Sequence, residues 1–251
     1  PLEYALGLRF LLELGSASEV AVVPGNHDIY TRLLTDPGVG RWQAFMTGDR
    51  AWDAFDAEQR LGPTFPYVRQ IGQVAVIGVN TAVPTPPGSA YGRVGARQLT
   101  DLRRVLGRAG EQGLFRLILM HHPPRPDQAL PSRGLRDGLQ FMEVIAEFGA
   151  EAILHGHNHR PMQNTATTPG GTCPIYGVPS ASVETAVSDW GLASYHALTI
   201  TGDGPGSWKI VCARYSLAVD PDTDEPVVSL SETWSAEPGH AGLSDPVCAQ
   251  S

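Results

Sequence analysis

Six of the eight histidines in this 251-residue chain fall in three short clusters: Gly25-Asn26-His27-Asp28, His121-His122-Pro123-Pro124 and His155-Gly156-His157-Asn158-His159. Each cluster stands directly behind a short apolar run, at 20–23, 117–120 and 152–154. Aliphatic runs of this length are too short for helices and suit buried strands. An open α/β sheet gathers its chemistry where strand ends release the chain. The clusters therefore constrain the chain to a fold that brings three strand ends to one place.

The rest of the pattern fits such a fold. Leu6, Phe10 and Leu14, with Leu11 beside them, recur at helical spacing and predict an opening helix that Gly15-Ser16 ends. A segment with Trp42, Phe45, Trp52, Phe55 and Phe65 is expected to be helical and to cover one side of the sheet. Residues 65–80 alternate about Gly72-Gln73 and predict a β-hairpin whose second arm, 74–79, is a central strand. The Pro/Gly-rich stretch 84–95 is a loop, and Gln98, Leu99, Leu102, Val105 and Leu106 mark an amphipathic helix after it. A second loop, 123–134, precedes an apolar-faced helix over 135–148. Strand, loop, helix, strand is the rhythm of an α/β fold. Beyond Pro161 the pattern changes to short strands at 173–178, 195–201 and 207–215, expected to form a second sheet. Residues 1–218 read as one domain, and 219–251, rich in Pro, Asp, Ser, Glu and Gly, as a loosely structured tail.

Composition narrows the function. A net charge of −8 argues against a protein that tracks a nucleic-acid backbone and favours a small substrate. Lys209 is the only lysine, so phosphate contacts would fall to arginine. Cys173, Cys212 and Cys248 are odd in number and widely spaced, which supports neither a disulfide framework nor a thiolate zinc site. No apolar stretch approaches the length that crosses a bilayer, and a cytoplasmic location is expected. The chain opens on Pro1 inside a helical pattern, so the expectation is of a piece lacking its N-terminus.

In an extended segment His157 and His159, one residue apart, point to the same side, and Gly156 lets the backbone turn as it leaves the strand. Imidazole suits Zn, Fe and Mn, and a side-chain amide oxygen is an acceptable hard ligand. The plainer alternative is buried histidines satisfied by hydrogen bonds, with Asn26 and Asp28 as turn and cap residues. It does not explain why three strands each release a histidine at the same end. Asn26, His121, His157 and His159 are all neutral, which leaves a bound metal's charge uncompensated and calls for carboxylates nearby. Asp28, Asp36 and Asp127 are nearest in sequence, but none has the strand-end placement, so the partners are expected upstream of Pro1.

These residues resemble the calcineurin-like metallophosphoesterase superfamily, whose motifs run Asp-x-His, Gly-Asp, Gly-Asn-His-Asp/Glu, His before a Pro, and Gly-His-x-His. The last three are present in order between Gly25 and His159, and the first two are absent. The resemblance implies a four-layer α/β/β/α sandwich with two mixed β-sheets, its first strands missing here. It also implies two divalent or trivalent metal ions, Mn, Fe or Zn. Asn26, His121 and His157 would hold one ion and His159 the other, with a hydroxide formed between them as nucleophile. His27 would steady the transition state or protonate the leaving alkoxide, and Asp28 would orient it. Arg125, Arg133 and Arg136 could hold a phosphate or be solvated loop charges, and His122 and His155 could line the pocket or be hydrogen-bonded neighbours; His122, Arg125 and Arg133 are taken as the candidates for substrate contact.

Gly-Asn-His-Asp and the compact His121-His122-Pro123-Pro124 loop look more like the bacterial branch containing class III cyclic-nucleotide phosphodiesterases than like the Ser/Thr protein phosphatases. The implied function is hydrolysis of a phosphodiester in a small, nucleotide-like substrate. The alternatives are a phosphomonoesterase or pyrophosphatase on the same site, or a non-catalytic binding module. Because half of the implied metal shell is absent, residues 1–251 alone are expected to be catalytically silent. Robust chelator-sensitive turnover by them would overturn that expectation.

Overall fold

In a computed structural model, which describes residues 2–29, 38–52, 64–183, 192–220, 222–223 and 225–238, the apolar runs of the central chain pair side by side. Tyr67–Ile71 (β1) and Val74–Gly78 (β2) form the expected antiparallel hairpin, turning on Gly72 at φ 57°. Phe115–Met120 (β3) runs parallel to β2, and Ala152–His155 (β4) runs parallel to β3. Met162–Thr168 (β5) and Gly171–Gly177 (β6) form a second hairpin, with β6 parallel to β4. The result is a mixed six-stranded sheet in the order β1-β2-β3-β4-β6-β5.

Parallel neighbours need a crossover, and two helices supply it. Leu2–Leu14 is α1, Ala96–Glu111 (α2) joins β2 to β3, and Gly138–Phe148 (α3) joins β3 to β4. The strands alternate strictly. Ala75, Ile77, Ile118, Ile153 and Ile175 face Leu102, Leu106, Phe141, Val144 and Ile145 of α2 and α3. On the other face, Phe115, Ala152 and Tyr176 meet Trp208, Ile210, Cys212 and Trp234. Each fully buried aliphatic or aromatic side chain here contributes about 1.5–3 kcal/mol, so both layers are held by burial. Arg116 locks the corner between them: its guanidinium meets Glu151 at 2.6 Å and its Nη1 donates to Phe148 O at 2.6 Å.

The second sheet consists of Ser194–Thr201 (β7), Lys209–Val219 (β8) and Pro226–Ala236 (β9) in that order. Several expectations change here. The sheet is antiparallel throughout the described residues, not mixed. The strand expected over 173–178 joins the first sheet as β6, because Ile153↔Ile175 pairing with β4 buries it on both faces. The stretch expected to be a loose tail contains β9, which pairs with β8 from Ile210↔Ala236 to Val219↔Pro226 and buries Trp234. Its Pro and Ser content hid a strand whose buried residues are Trp234 and Ala236. Residues 239–251, with Cys248, lie outside the described part. Tyr195, Val211 and Leu230 are exposed on the sheet's outer face, where the fourth layer of the expected sandwich would lie.

The run 20–23, expected to be a strand, forms none and pairs in neither sheet. Its carbonyls are taken by side chains of β1 instead. Tyr67 Oη donates to Val22 O at 2.9 Å, and the Arg69 guanidinium donates to Val20 O, Ala44 O and Thr47 O. The segment 38–52 is helical as expected, though in 3-10 form at Gly38–Met46 and Arg50–Trp52, while Phe55 lies outside the described residues. Leu6, Phe10 and Leu14, whose spacing predicted the helix, are exposed on α1. Contact is made by Tyr4, whose hydroxyl donates to Asp28 O at 2.8 Å and whose carbonyl accepts from Trp42 Nε1 at 3.0 Å.

Arg69 is 6% exposed and serves three carbonyls that have no ladder partner. Charge-assisted bonds of this kind contribute about 1.5–3 kcal/mol each, and buried carbonyls left unserved cost further. Arg69→Met is therefore expected to lower unfolding free energy by about 2–4 kcal/mol in urea denaturation. A loss under about 0.5 kcal/mol would show that water replaces the guanidinium freely.

Candidate metal centre

Met120↔His155 pairing puts the exits of β3 and β4 side by side, and Gly156 N donates to His121 O at 3.1 Å just beyond. His121 and His157 thereby reach the same point from adjacent strands. Asn26, 2% exposed, arrives from the opposite side on the 3-10 turn Asn26–Ile29. Gly25 makes that approach feasible, since a Cβ there would stand 2.8 Å from the His121 ring.

Three ligand atoms converge. Asn26 Oδ1 lies 2.8 Å from His121 Nε2 and 3.2 Å from His157 Nδ1, and the two nitrogens are 3.2 Å apart. Ligands about 2.1 Å from one ion and at right angles would be about 3 Å apart. Two imidazole nitrogens and an amide oxygen form a donor set for a borderline divalent ion. The described residues of the centre therefore fit a metal.

Burial keeps this cluster neutral. It depresses the pKa of His121 to about 2, with His122, His157, His159 and His27 adding repulsion, and that of His157 to about 4. The Arg133 carbonyl pulls His157 the other way. No carboxylate among the described residues joins the group. Asp127 is taken by Arg125 at 2.9 Å, Asp36 lies outside the described residues, and Asp28 Oδ2 accepts from Gly25 N at 2.7 Å.

His27 is exposed next to Asn26 and lines a cleft of about 810 Å³ with His157, His159, Arg133 and Arg160. His157 and His159 are not extended as expected. Both are left-handed, at φ 67° and 56°, a conformation that costs non-glycine residues and clusters at functional sites. Both side chains still reach the cleft. Desolvation lowers the His159 pKa, and the neighbouring His27 ring lowers it further. Asp28 closes the Gly25–Asp28 turn, and burial raises its pKa while His27 lowers it. Its carboxylate holds the turn that carries His27.

The other candidates separate. Arg133 lines the cleft. Arg125 does not, because its guanidinium is spent on Asp127 and on Thr165 O at 3.1 Å. Arg136 stacks over Tyr91 at 4.4 Å, and His155 is buried with Nδ1 donating to Gly156 O at 3.1 Å. His122 is wholly buried, with both ring nitrogens hydrogen-bonded, so it does not contact substrate directly. The sequence reading missed Arg160, Gln128 and the wall 85–90. Arg160 follows His159 directly, which is a usable signal; the wall residues carry none.

The family model for calcineurin-like phosphoesterases matches residues 1–161. The chain belongs to the calcineurin-like phosphoesterase family. Among curated relatives, a "Probable cyclic nucleotide phosphodiesterase" of Synechococcus sp. (strain WH7803) is 33% identical over 99 residues, covering 38% of this chain and 37% of the relative. The 3',5'-cyclic adenosine monophosphate phosphodiesterase CpdA of Haemophilus influenzae is 24% identical over 148 residues, covering 57% of this chain and 44% of that protein. This calcineurin-like phosphoesterase thus spans less than half the length of these relatives. A dimetal phosphatase from Danio rerio is a solved structure it resembles at TM-score 0.39 and 16% identity, over 55% of this chain and 38% of the other.

Histidines whose folded pKa lies below the unfolded value of about 6.5 favour unfolding as they gain protons. Their contribution is intact above pH 6.5 and is lost as pH falls toward the depressed values, about 2 for His121 and about 3 for His122. At pH 5 each of these two is expected to cost about 2 kcal/mol relative to pH 7.5. Urea midpoints should fall over that interval, with net proton uptake on unfolding. An unchanged midpoint would mean that the cluster is solvated.

Proposed function

We propose that this protein is a metal-dependent phosphoesterase acting on a phosphodiester in a small, nucleotide-like substrate. The observation that carries the reading is the convergence of Asn26 Oδ1, His121 Nε2 and His157 Nδ1 within 3.2 Å of one another. The cleft supports it. In a chain of net charge −8, its lining includes Arg133 and Arg160 but no carboxylate among the described residues, so it selects an anion. Its volume of about 810 Å³ suits a nucleotide-sized ligand. The activities named for the Synechococcus and Haemophilus relatives agree with this choice.

Asn26, His121 and His157 would hold one ion, and His159 would serve a second; Mn, Fe and Zn all suit such donors. Bound metal ions polarise phosphate oxygens and make water acidic enough to attack at neutral pH. His27 supplies the proton. Exposed in the cleft beside Asn26, its imidazolium protonates the departing alkoxide as the P–O bond breaks, and water contributes the oxygen that replaces it. Asp28 holds the turn that aims His27. Arg133 and Arg160 bind the phosphate and screen its charge. No helix among the described residues is long and apolar enough to cross a membrane, and a cytoplasmic site of action belongs to this reading.

The test is turnover of bis(p-nitrophenyl) phosphate and p-nitrophenyl phosphate with Mn2+ in the protein as encoded. The diester is expected to be the better substrate, and a monoester preference would shift the reading to a phosphomonoesterase. His27→Ala should lower kcat by about 10²–10⁴-fold with Mn2+ affinity retained. Full activity of that variant would remove His27 as the acid, and Mn2+ binding that survives His157→Ala would remove the proposed centre.

A further inference from the structure

His122 is wholly buried, and its ring belongs by proximity to a His121–His122–His157 group whose ligand atoms lie within 4.8 Å. Its hydrogen bonds exclude it from ligation. Nε2 stands 3.0 Å from the Ala90 carbonyl, which can only accept, so Nε2 carries the proton. Nδ1 is 2.8 Å from Thr81 Oγ1, and that hydroxyl accepts from His122 N–H at 3.2 Å, leaving its own proton for Nδ1. Both ring nitrogens are committed. The ring still packs on both proposed ligands, 5.0 Å from the His121 centroid and 4.5 Å from that of His157.

Ala90 ends the cleft wall that runs from Thr85, Pro86 and Pro87 to Ser89. That wall is internally tied by Thr85 Oγ1 donating to Ser89 O at 2.7 Å. It is also joined to the opposite wall: Ala90 N donates to Ser132 O at 2.9 Å, and Gly92 N to Gly134 O at 3.1 Å. The opposite wall, which includes Gln128 and Arg133, is fastened to the histidine loop by Asn158 Nδ2 donating to Gln128 O at 2.9 Å. His122 makes the matching fastening for the 85–90 wall. Gly92 lies flat against it, since a Cβ there would stand 2.3 Å from His122 Nδ1.

We infer that His122 is a positioning residue: through its Nε2–H bond to Ala90 it sets the distance between the metal-binding histidines and the wall against which substrate rests. The inference rests on the phosphoesterase reading for what the cleft holds. A glutamine amide reaches about where Nε2 lies, whereas an asparagine amide reaches only the Nδ1 position. His122→Gln keeps the Ala90 bond and His122→Asn breaks it, which separates this bond from mere occupancy of the core.

The probes are Mn2+ alone and AMP titrated into the Mn2+-loaded protein as encoded, both by calorimetry, with thermal melts to confirm folding. His122→Asn is expected to weaken AMP about tenfold and to raise the diester KM with kcat nearly kept, while Mn2+ affinity stays within about twofold. His122→Gln should restore AMP binding. Gly92→Ala, which pushes ring and wall apart without removing a donor, should reproduce the asparagine effect and decides the matter if His122→Asn does not fold. Parallel loss of Mn2+ binding in both His122 variants would make His122 a ligand and overturn the inference. Unchanged AMP binding in folded His122→Asn or Gly92→Ala would overturn it as well. A wild-type protein that binds Mn2+ but not AMP would instead refute the nucleotide-like substrate of the proposed function, a failure visible before any variant is made.

Discussion

The parallel register between β3 and β4 is the constraint on which the rest depends. With Met120 opposite His155, each strand delivers its next residues to one point, and the Gly156–His121 main-chain bond extends the ladder one step into the loops. A slip of one residue would turn the strands' alternate faces over, exchanging the Ile118 and Ile153 side for the Phe115 and Ala152 side. The two buried layers forbid that. The hydrophobic core on both faces of the sheet thus specifies the position of two imidazoles that are not themselves part of it.

Desolvation then prepares what register has placed. A cluster of five interacting histidines would repel itself if protonated, and burial removes that risk by holding His121 and His157 neutral with lone pairs available. Imidazoles that are already neutral give up no proton on binding a cation, the state that the proposed metal reading asks of His121 and His157. The left-handed backbone at His157 and His159 is the local cost of turning two side chains inward within three residues.

How much of this was readable in the sequence differs by physical cause. The three clusters, the 65–80 hairpin and the two crossover helices were legible because each rests on local periodicity or on a motif whose residues are neighbours in the chain. Asn26, His121 and His157, which come from three separate motifs, converge to within 3.2 Å. The sheet membership of residues 173–178 and the pairing of 226–236 were not legible, because both are decided by partners distant in sequence. Nor was the fate of the run 20–23, whose carbonyls are claimed by Arg69 and Tyr67 from another element. The arginines divided for the same reason: Arg125 and Arg133 share one loop, but Asp127 stands in reach of only one of them.

The walls of the cleft are joined to each other through main-chain atoms at Ala90, Gly92, Ser132 and Gly134. Main-chain bonds are indifferent to side-chain identity, so the residues between them, such as Pro87, Ser89, Ala129 and Leu130, can vary without loosening the frame. Under the proposed reading, the wall positions line the substrate space while the strands place the Asn26–His121–His157 group, so that either can change without displacing the other.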